Sequence, residues 1–167
     1  MLGELLYEIG VEVPASQAWD LFCSLRIVEL LLNLKHLIHS IELVHGDGGV
    51  GTILKLTFQD ARVPAGSKSM SYSLEKITKL DHDNRVKELD VVEGGLLDMG
   101  FTLYRYRIQV FEKGAAACTI KFTIEYELPD ELAATNASLV SNEILVALSD
   151  LVKDHLLSLH AGGATIN

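Results

Sequence analysis

Basic residues are scarce in this chain: 14 Lys and Arg stand against 23 Asp and Glu, leaving a formal net charge of −9 over 167 residues. That balance argues against a nucleic-acid groove or an anionic membrane surface as partner, because nothing basic clusters strongly enough to override it. Cysteine is scarcer still. Cys23 and Cys118 lie far apart, with no CxxC pair and no His/Cys spacing of a metal site, so they read as small buried hydrophobes in a reducing compartment. No apolar run approaches the roughly twenty residues that span a bilayer. The opening MLGELLYEIG lacks a basic stretch and places Glu4 early, so it does not read as a secretory signal, and a cytoplasmic protein is the expectation. What remains is an ordinary globular balance, 49% apolar and 22% charged, over one domain's length, residues 1–167.

The three prolines punctuate the chain. Leu5 to Val13 alternates as a strand and stops at Pro14, which has no N–H for a ladder. Ser16 is then the expected N-cap of a short helix through Trp19, Leu21 and Phe22. A second short helix is expected over Ile27 to Leu34. Strands follow at about Ile41 to Val44 and Thr52 to Phe58, with a loop at Gln59 to Ser69 around Pro64 and Gly66. Four more are expected at Met70 to Leu80, Arg85 to Val92, Gly100 to Phe111 and Ala117 to Leu128, joined through DHDN, EGGLLD and EKGA. The last strand sets Cys118, Ile120, Phe122, Ile124, Tyr126 and Leu128 on one face and Thr119, Lys121, Thr123, Glu125 and Glu127 on the other, a half-buried antiparallel pattern. After Pro129 the period becomes helical. Leu139, Ile144, Leu145, Leu148, Leu151, Val152 and Leu156 predict one long amphipathic helix to near His160, with residues 160–167 frayed. The order predicts an α+β fold, with the long helix covering one face of a seven-stranded antiparallel sheet and two short helices between strands 1 and 2.

Within these strands Glu75 and Lys87 stand out. On the alternation Glu75 shares a face with Ser73 and Ile77, and Lys87 shares one with Leu89 and Val91. A lysine on an apolar face is costly unless paired, its pKa falls with burial, and a nearby carboxylate could hold it and exchange protons with a substrate. The alternative is that both sit on the solvated face of an ordinary sheet. Tyr106 shares a face with Tyr104, Ile108 and Val110, which suits a core tyrosine with a satisfied hydroxyl, or a donor to a ligand oxygen if that face lines a cavity. The loop GDGGVGT, Gly46 to Thr52, is not a P-loop: no GK[ST] follows it, and the next segment is a strand. It is expected to be a tight strand connection. His36 and His39 lack a third ligand at matching spacing, so no metal is expected.

GDGGVGT followed by EGGLLDMG at Glu93 to Gly100, between an amphipathic strand and a long amphipathic helix, resembles the plant Bet v I (pathogenesis-related class 10) family, specifically its norcoclaurine synthase and norbelladine synthase branch. The resemblance runs ungapped from DHDNR at Asp81 onward and includes SLR at Ser24 to Arg26. It implies a helix-grip, START-like fold whose curled sheet wraps the long helix around an internal hydrophobic cavity, partly lined by Leu145 and Leu148. It further implies cofactor-free lyase chemistry, the condensation of an arylethylamine with an aromatic aldehyde. Lys87 falls on the family's catalytic lysine and Glu75 on its catalytic glutamate. Tyr106 replaces an aspartate near the cavity mouth, and Ser73 replaces a tyrosine two residues before the glutamate. Tyr72, Glu75 and Lys87 match the catalytic set of the norbelladine synthases, although strand parity points Tyr72 away from Glu75 unless a bulge intervenes. The implied substrate-binding set is Tyr106, Ser73, Tyr104, Leu89, Ile108, Leu145 and Leu148. Small hydrophobic or phenolic molecules are the expected partners of a monomer or weak homodimer. Two other functions stay open here: a non-catalytic carrier of a hydrophobic plant metabolite or hormone, and a relative repurposed to another cyclisation or lyase step.

Overall fold

In the computed structural model, residues 1–59 and 71–164 are described, and the loop expected at Gln59 to Ser69 lies outside them apart from Gln59. The elements run β1 (Leu2–Val11), α1 (Ala15–Phe22), α2 (Arg26–Leu31), β2 (Ile38–His45), β3 (Ile53–Phe58), β4 (Tyr72–Asp81), β5 (Val86–Gly94), β6 (Leu103–Glu112), β7 (Cys118–Glu127), α3 (Asp130–Asn136) and α4 (Glu143–Ala164). All seven strands join one antiparallel sheet in the order β1-β7-β6-β5-β4-β3-β2. This is the expected α+β helix-grip arrangement, with α4 packed into the sheet's concave face.

Curvature comes from irregular pairing. The β2–β3 and β4–β5 ladders each slip twice, and one β4–β5 slip falls between Leu74 and Glu75. An extra residue on one strand bends it and sharpens the local twist. The concave face carries the core: Ile77, Ile120, Phe122 and Ile124 are fully buried, against Leu148, Val152 and Leu156 of α4 and Phe22 of α1. The convex face is charged and partly covered. Arg105 grips Asp90 through two hydrogen bonds of 2.6 and 2.9 Å, and Arg107 bonds both Glu88 and Glu125. Thr123, expected on a wet face, is 4% exposed, paired in register with Arg107 on one side and Leu6 on the other.

Three local expectations are corrected. Ser16 does not cap α1; the helix starts at Ala15, and the Pro14 carbonyl accepts the Gln17 and Ala18 N–H groups directly. The C-terminal helix is broken into α3 and α4. Asn136, Ser138 and Asn142 are residues whose side chains compete for backbone bonds, Val140 is extended, and the Ser141 hydroxyl accepts the Glu143 N–H at 3.2 Å. Leu139 therefore belongs to a 3₁₀ turn rather than to α4. Helix α4 also runs beyond the expected fray point, through Ala164. No single helix among the described residues is long and apolar enough to cross a membrane.

The glycine loop is a tight connection, as expected. Gly46, Gly48 and Gly51 have positive φ, and a Cβ at Gly46 would lie 2.7 Å from the Thr52 Cα. The buried Thr52 hydroxyl accepts the Gly48 N–H at 2.9 Å. The loop faces Leu25 at the α1–α2 junction, and none of its residues lines the two lobes of the cavity.

Candidate active site

Between the concave sheet and α4 lies a cavity of two adjoining lobes that share Phe58, Tyr106, Ile144 and Leu145. One, of about 110 Å³, is edged with hydroxyls from Ser73, Tyr104, Tyr106 and Ser141. The other, of about 70 Å³, is hydrocarbon apart from Glu75, Lys87 and Tyr106; Ile27, Leu31, Leu56, Leu89, Ile108 and Leu148 are among its walls.

Sheet register puts the polar groups there. Ser73, Glu75 and Ile77 alternate inward on β4; Lys87 and Leu89 do so on β5, opposite Ile108 and Tyr106 of β6. Glu75 is 8% exposed and Lys87 3%. The solvated-face alternative fails for both. The Lys87 Nζ donates to the Phe22 carbonyl at 2.9 Å, where α1 ends and its unpaired carbonyls attract a cation. The Ser73 hydroxyl donates to Glu75 Oε1 at 3.3 Å. Among the described residues no salt bridge joins Glu75 to Lys87, although each charge acts on the other through the cavity.

Burial governs both titrations. Loss of water pushes the Glu75 carboxyl up from 4.5 to about 7, against the Ser73 hydrogen bond and the Lys87 charge. The same cause brings Lys87 down from 10.5 to about 8, against Cys23 and Glu75. Two groups of opposite charge type thus approach neutrality from opposite sides, the condition under which one can donate and the other accept a proton at ordinary pH. Burial also drives the Tyr104 hydroxyl well above its usual range, helped by the Glu75 charge, so it stays a neutral donor. Its ring meets that of Tyr106 edge-on at 5.5 Å.

Tyr72 is not brought to this cluster. The slip between Leu74 and Glu75 places its extra residue, Val92, on β5, so β4 keeps its own alternation and Tyr72 faces away from Glu75. Its hydroxyl donates to Glu93 Oε1 at 2.8 Å on the convex side, and Lys55 Nζ sits 4.9 Å from its ring centre. Every other expected residue, Ser73, Glu75, Lys87, Leu89, Tyr104, Tyr106, Ile108, Leu145 and Leu148, lines one lobe or both. Sequence reasoning missed the Phe22 carbonyl, for which a backbone atom leaves no side-chain signal. It also missed Ser141 and Leu139, which enter the lining only because the C-terminal helix breaks. Ile27 and Leu31 could have been found, since they recur at i and i+4 on α2. The EGGLLDMG segment contributes Gly95 and Leu96 to the hydroxyl lobe; Gly94 has φ +72°, and a Cβ there would lie 2.5 Å from the Tyr72 carbonyl.

No group of three or more His, Cys, Asp and Glu that could hold a metal ion occurs among the described residues, and both cysteines are free, Cys118 buried and Cys23 half-buried.

A curled seven-stranded sheet gripping a long helix, with a lysine and a carboxyl buried in the apolar space between, defines a helix-grip protein with an internal cavity. The profile of the Pathogenesis-related protein Bet v 1 family matches residues 1–159. The chain belongs to that family. It is 40% identical over 158 residues to norbelladine synthase of Narcissus pseudonarcissus, covering 94% of this chain and 93% of that one. It is 35% identical to S-norcoclaurine synthase 1 of Papaver somniferum over 92% of this chain, and spans 65% of that longer enzyme. Its fold superposes with a TM-score of 0.83, at 29% identity and covering 95% of this chain and 88% of the other, on norcoclaurine synthase from Thalictrum flavum solved in complex with dopamine and hydroxybenzaldehyde.

Proposed function

We propose that the chain condenses an arylethylamine of the dopamine or tyramine type with an aromatic aldehyde, forming an imine with or without Pictet–Spengler ring closure. The observation that carries this reading is the placement of Glu75 and Lys87 in one apolar cavity, their pKa values displaced to about 7 and about 8. Imine formation needs an amine that is neutral when it attacks and an acid that protonates the departing hydroxyl. Glu75 can take the surplus proton from the incoming ammonium, and Lys87 can supply one to the carbinolamine oxygen. The hydrocarbon walls favour the neutral amine and limit the water that would hydrolyse the product. Holding both reactants in one space lowers the barrier further. Tyr104, Tyr106 and Ser73 offer hydroxyls to ring oxygens of a phenolic substrate.

Ring closure also needs a base for a ring hydroxyl. With Tyr106 where the family carries an aspartate, that work falls to Glu75 or Lys87, because a phenol is a poor base near neutrality. The relatives named norbelladine and norcoclaurine synthase support the reaction class.

The test is incubation with dopamine or tyramine and a panel of aromatic aldehydes, followed by mass detection, with reductant added at the end to half the samples. The expected result is a product above the uncatalysed background; mass and chirality then separate imine from cyclised product. No product, together with displacement of a fluorescent apolar probe by phenolic metabolites, would replace the enzyme reading with that of a carrier.

A further inference from the structure

Lys87 is better equipped than a proton shuttle requires. Among the described residues its one hydrogen bond goes to a neutral acceptor, the Phe22 carbonyl, and it forms no salt bridge. A neutral amine still makes that bond with one N–H, more weakly than an ammonium does, and keeps its lone pair for the cavity. The walls beside it, among them Ile27, Leu56, Leu89 and Ile108, are hydrocarbon. A lysine desolvated in this way is a nucleophile toward carbonyl carbon, and its lowered pKa leaves a substantial neutral fraction near neutral pH.

We propose that Lys87 also captures aromatic aldehydes covalently, forming an imine through its Nζ when no substrate amine is present. The neutral Nζ lone pair adds to the carbonyl carbon as the C=O π pair moves to oxygen. A proton passes from nitrogen to that oxygen, giving a carbinolamine. The hydroxyl leaves as water on taking a proton from the Glu75 carboxyl, the nitrogen lone pair closes C=N, and the nitrogen's remaining proton returns to Glu75. An arriving amine reverses the attachment by adding to the same carbon and expelling Lys87, so the captured aldehyde passes on as the substrate imine. No oxidant or reductant takes part. This inference rests on the reading that an aldehyde enters the cavity; it does not require that a condensation product be released.

The experiment incubates the whole protein with para-hydroxybenzaldehyde alone, adds cyanoborohydride, and maps the modified lysines by peptide mass spectrometry. The expected result is a hydroxybenzyl group on Lys87 at several-fold higher occupancy than on exposed Lys76 and Lys79, reduced when tyramine precedes the reductant. Lys87→Arg, which keeps a buried cation and cannot form the imine, should show only the surface background. Occupancy at Lys87 no higher than at Lys76 and Lys79 in the unmodified protein would overturn the proposal, whatever the variant does. Turnover with amine and aldehyde but no Lys87 adduct would overturn it and leave the condensation reading standing. A Lys87 adduct without turnover would uphold it and remove that reading.

Discussion

Glu75 and Lys87 make the stability of the fold depend on pH in opposite directions. Between 4.5 and about 7 the folded chain keeps on Glu75 a proton that the unfolded chain has released, so stability falls as pH rises through that window. Between about 8 and 10.5 the folded chain has lost from Lys87 a proton that the unfolded chain still holds, so stability rises with pH there. Glu75→Gln should abolish the falling limb and stabilise the protein at pH 8 by on the order of 3 kcal/mol, with little effect near pH 5. Thermal or urea midpoints against pH would show it, and parallel curves for the two proteins would mean Glu75 is not buried as a carboxylate. The two tyrosines separate just as sharply. Tyr72→Phe should leave kcat/KM within about twofold, since its hydroxyl meets Glu93 on the convex side. Tyr106→Phe should change phenolic ligand affinity, or product regiochemistry, by about tenfold, the effect of one well-placed hydrogen bond. Activity lost in Tyr72→Phe and kept in Tyr106→Phe would reverse both placements.

At the scale of elements, the strands were legible because β1 and β7 alternate along their length and turn residues (Pro14, GDGG, DHDN, EGG, EKGA and Pro129) end most of the others. The bounds moved by only a few residues, as β1 shows in starting at Leu2 rather than Leu5. Alternation grouped Glu75 with Ser73 and Ile77 and Lys87 with Leu89 but left open which face was buried; the sheet's register and α4 decide it. The helix break is obscured because apolar residues continue on both sides of it; the five-residue gap from Leu139 to Ile144 and the polar Ser141 and Asn142 within it are its traces in the sequence. Alternation could not show how the β4–β5 slips bring Lys87 toward the end of α1, because a bulge leaves no fixed residue pattern. The EGGLLDMG turn gives the test at this level. Gly94→Ala must hold a positive φ and place a Cβ against the Tyr72 carbonyl, so it should cost about 3 kcal/mol. Gly10→Ala meets nothing within 4 Å and should be nearly neutral. Equal denaturation midpoints for the two variants would show that this turn relaxes freely and does not fix the hydroxyl lobe.

For the whole molecule, the fold accounts for why so small a chain can carry two unpaired ionisable groups inside. A strongly curled sheet closed by one helix leaves a space that side chains do not fill, and each buried group there keeps a hydrogen bond, Glu75 to the Ser73 hydroxyl and Lys87 to the Phe22 carbonyl. The convex Arg105 and Arg107 pairs hold β5, β6 and β7 in register, and that register sets Lys87, Leu89 and Tyr106 on the opposite face. The cost of burying Glu75 and Lys87 is the reason to expect that they are used. The most direct measurement of that claim is the rate of amine–aldehyde condensation by Lys87→Met beside the unmodified protein, with thermal unfolding recorded on the same samples. The account predicts a rate lower by at least about 100-fold with an unfolding midpoint unchanged or raised, because a buried charge has been removed. A rate within a few-fold of the original, or a rate lost only together with the folded state, would contradict it.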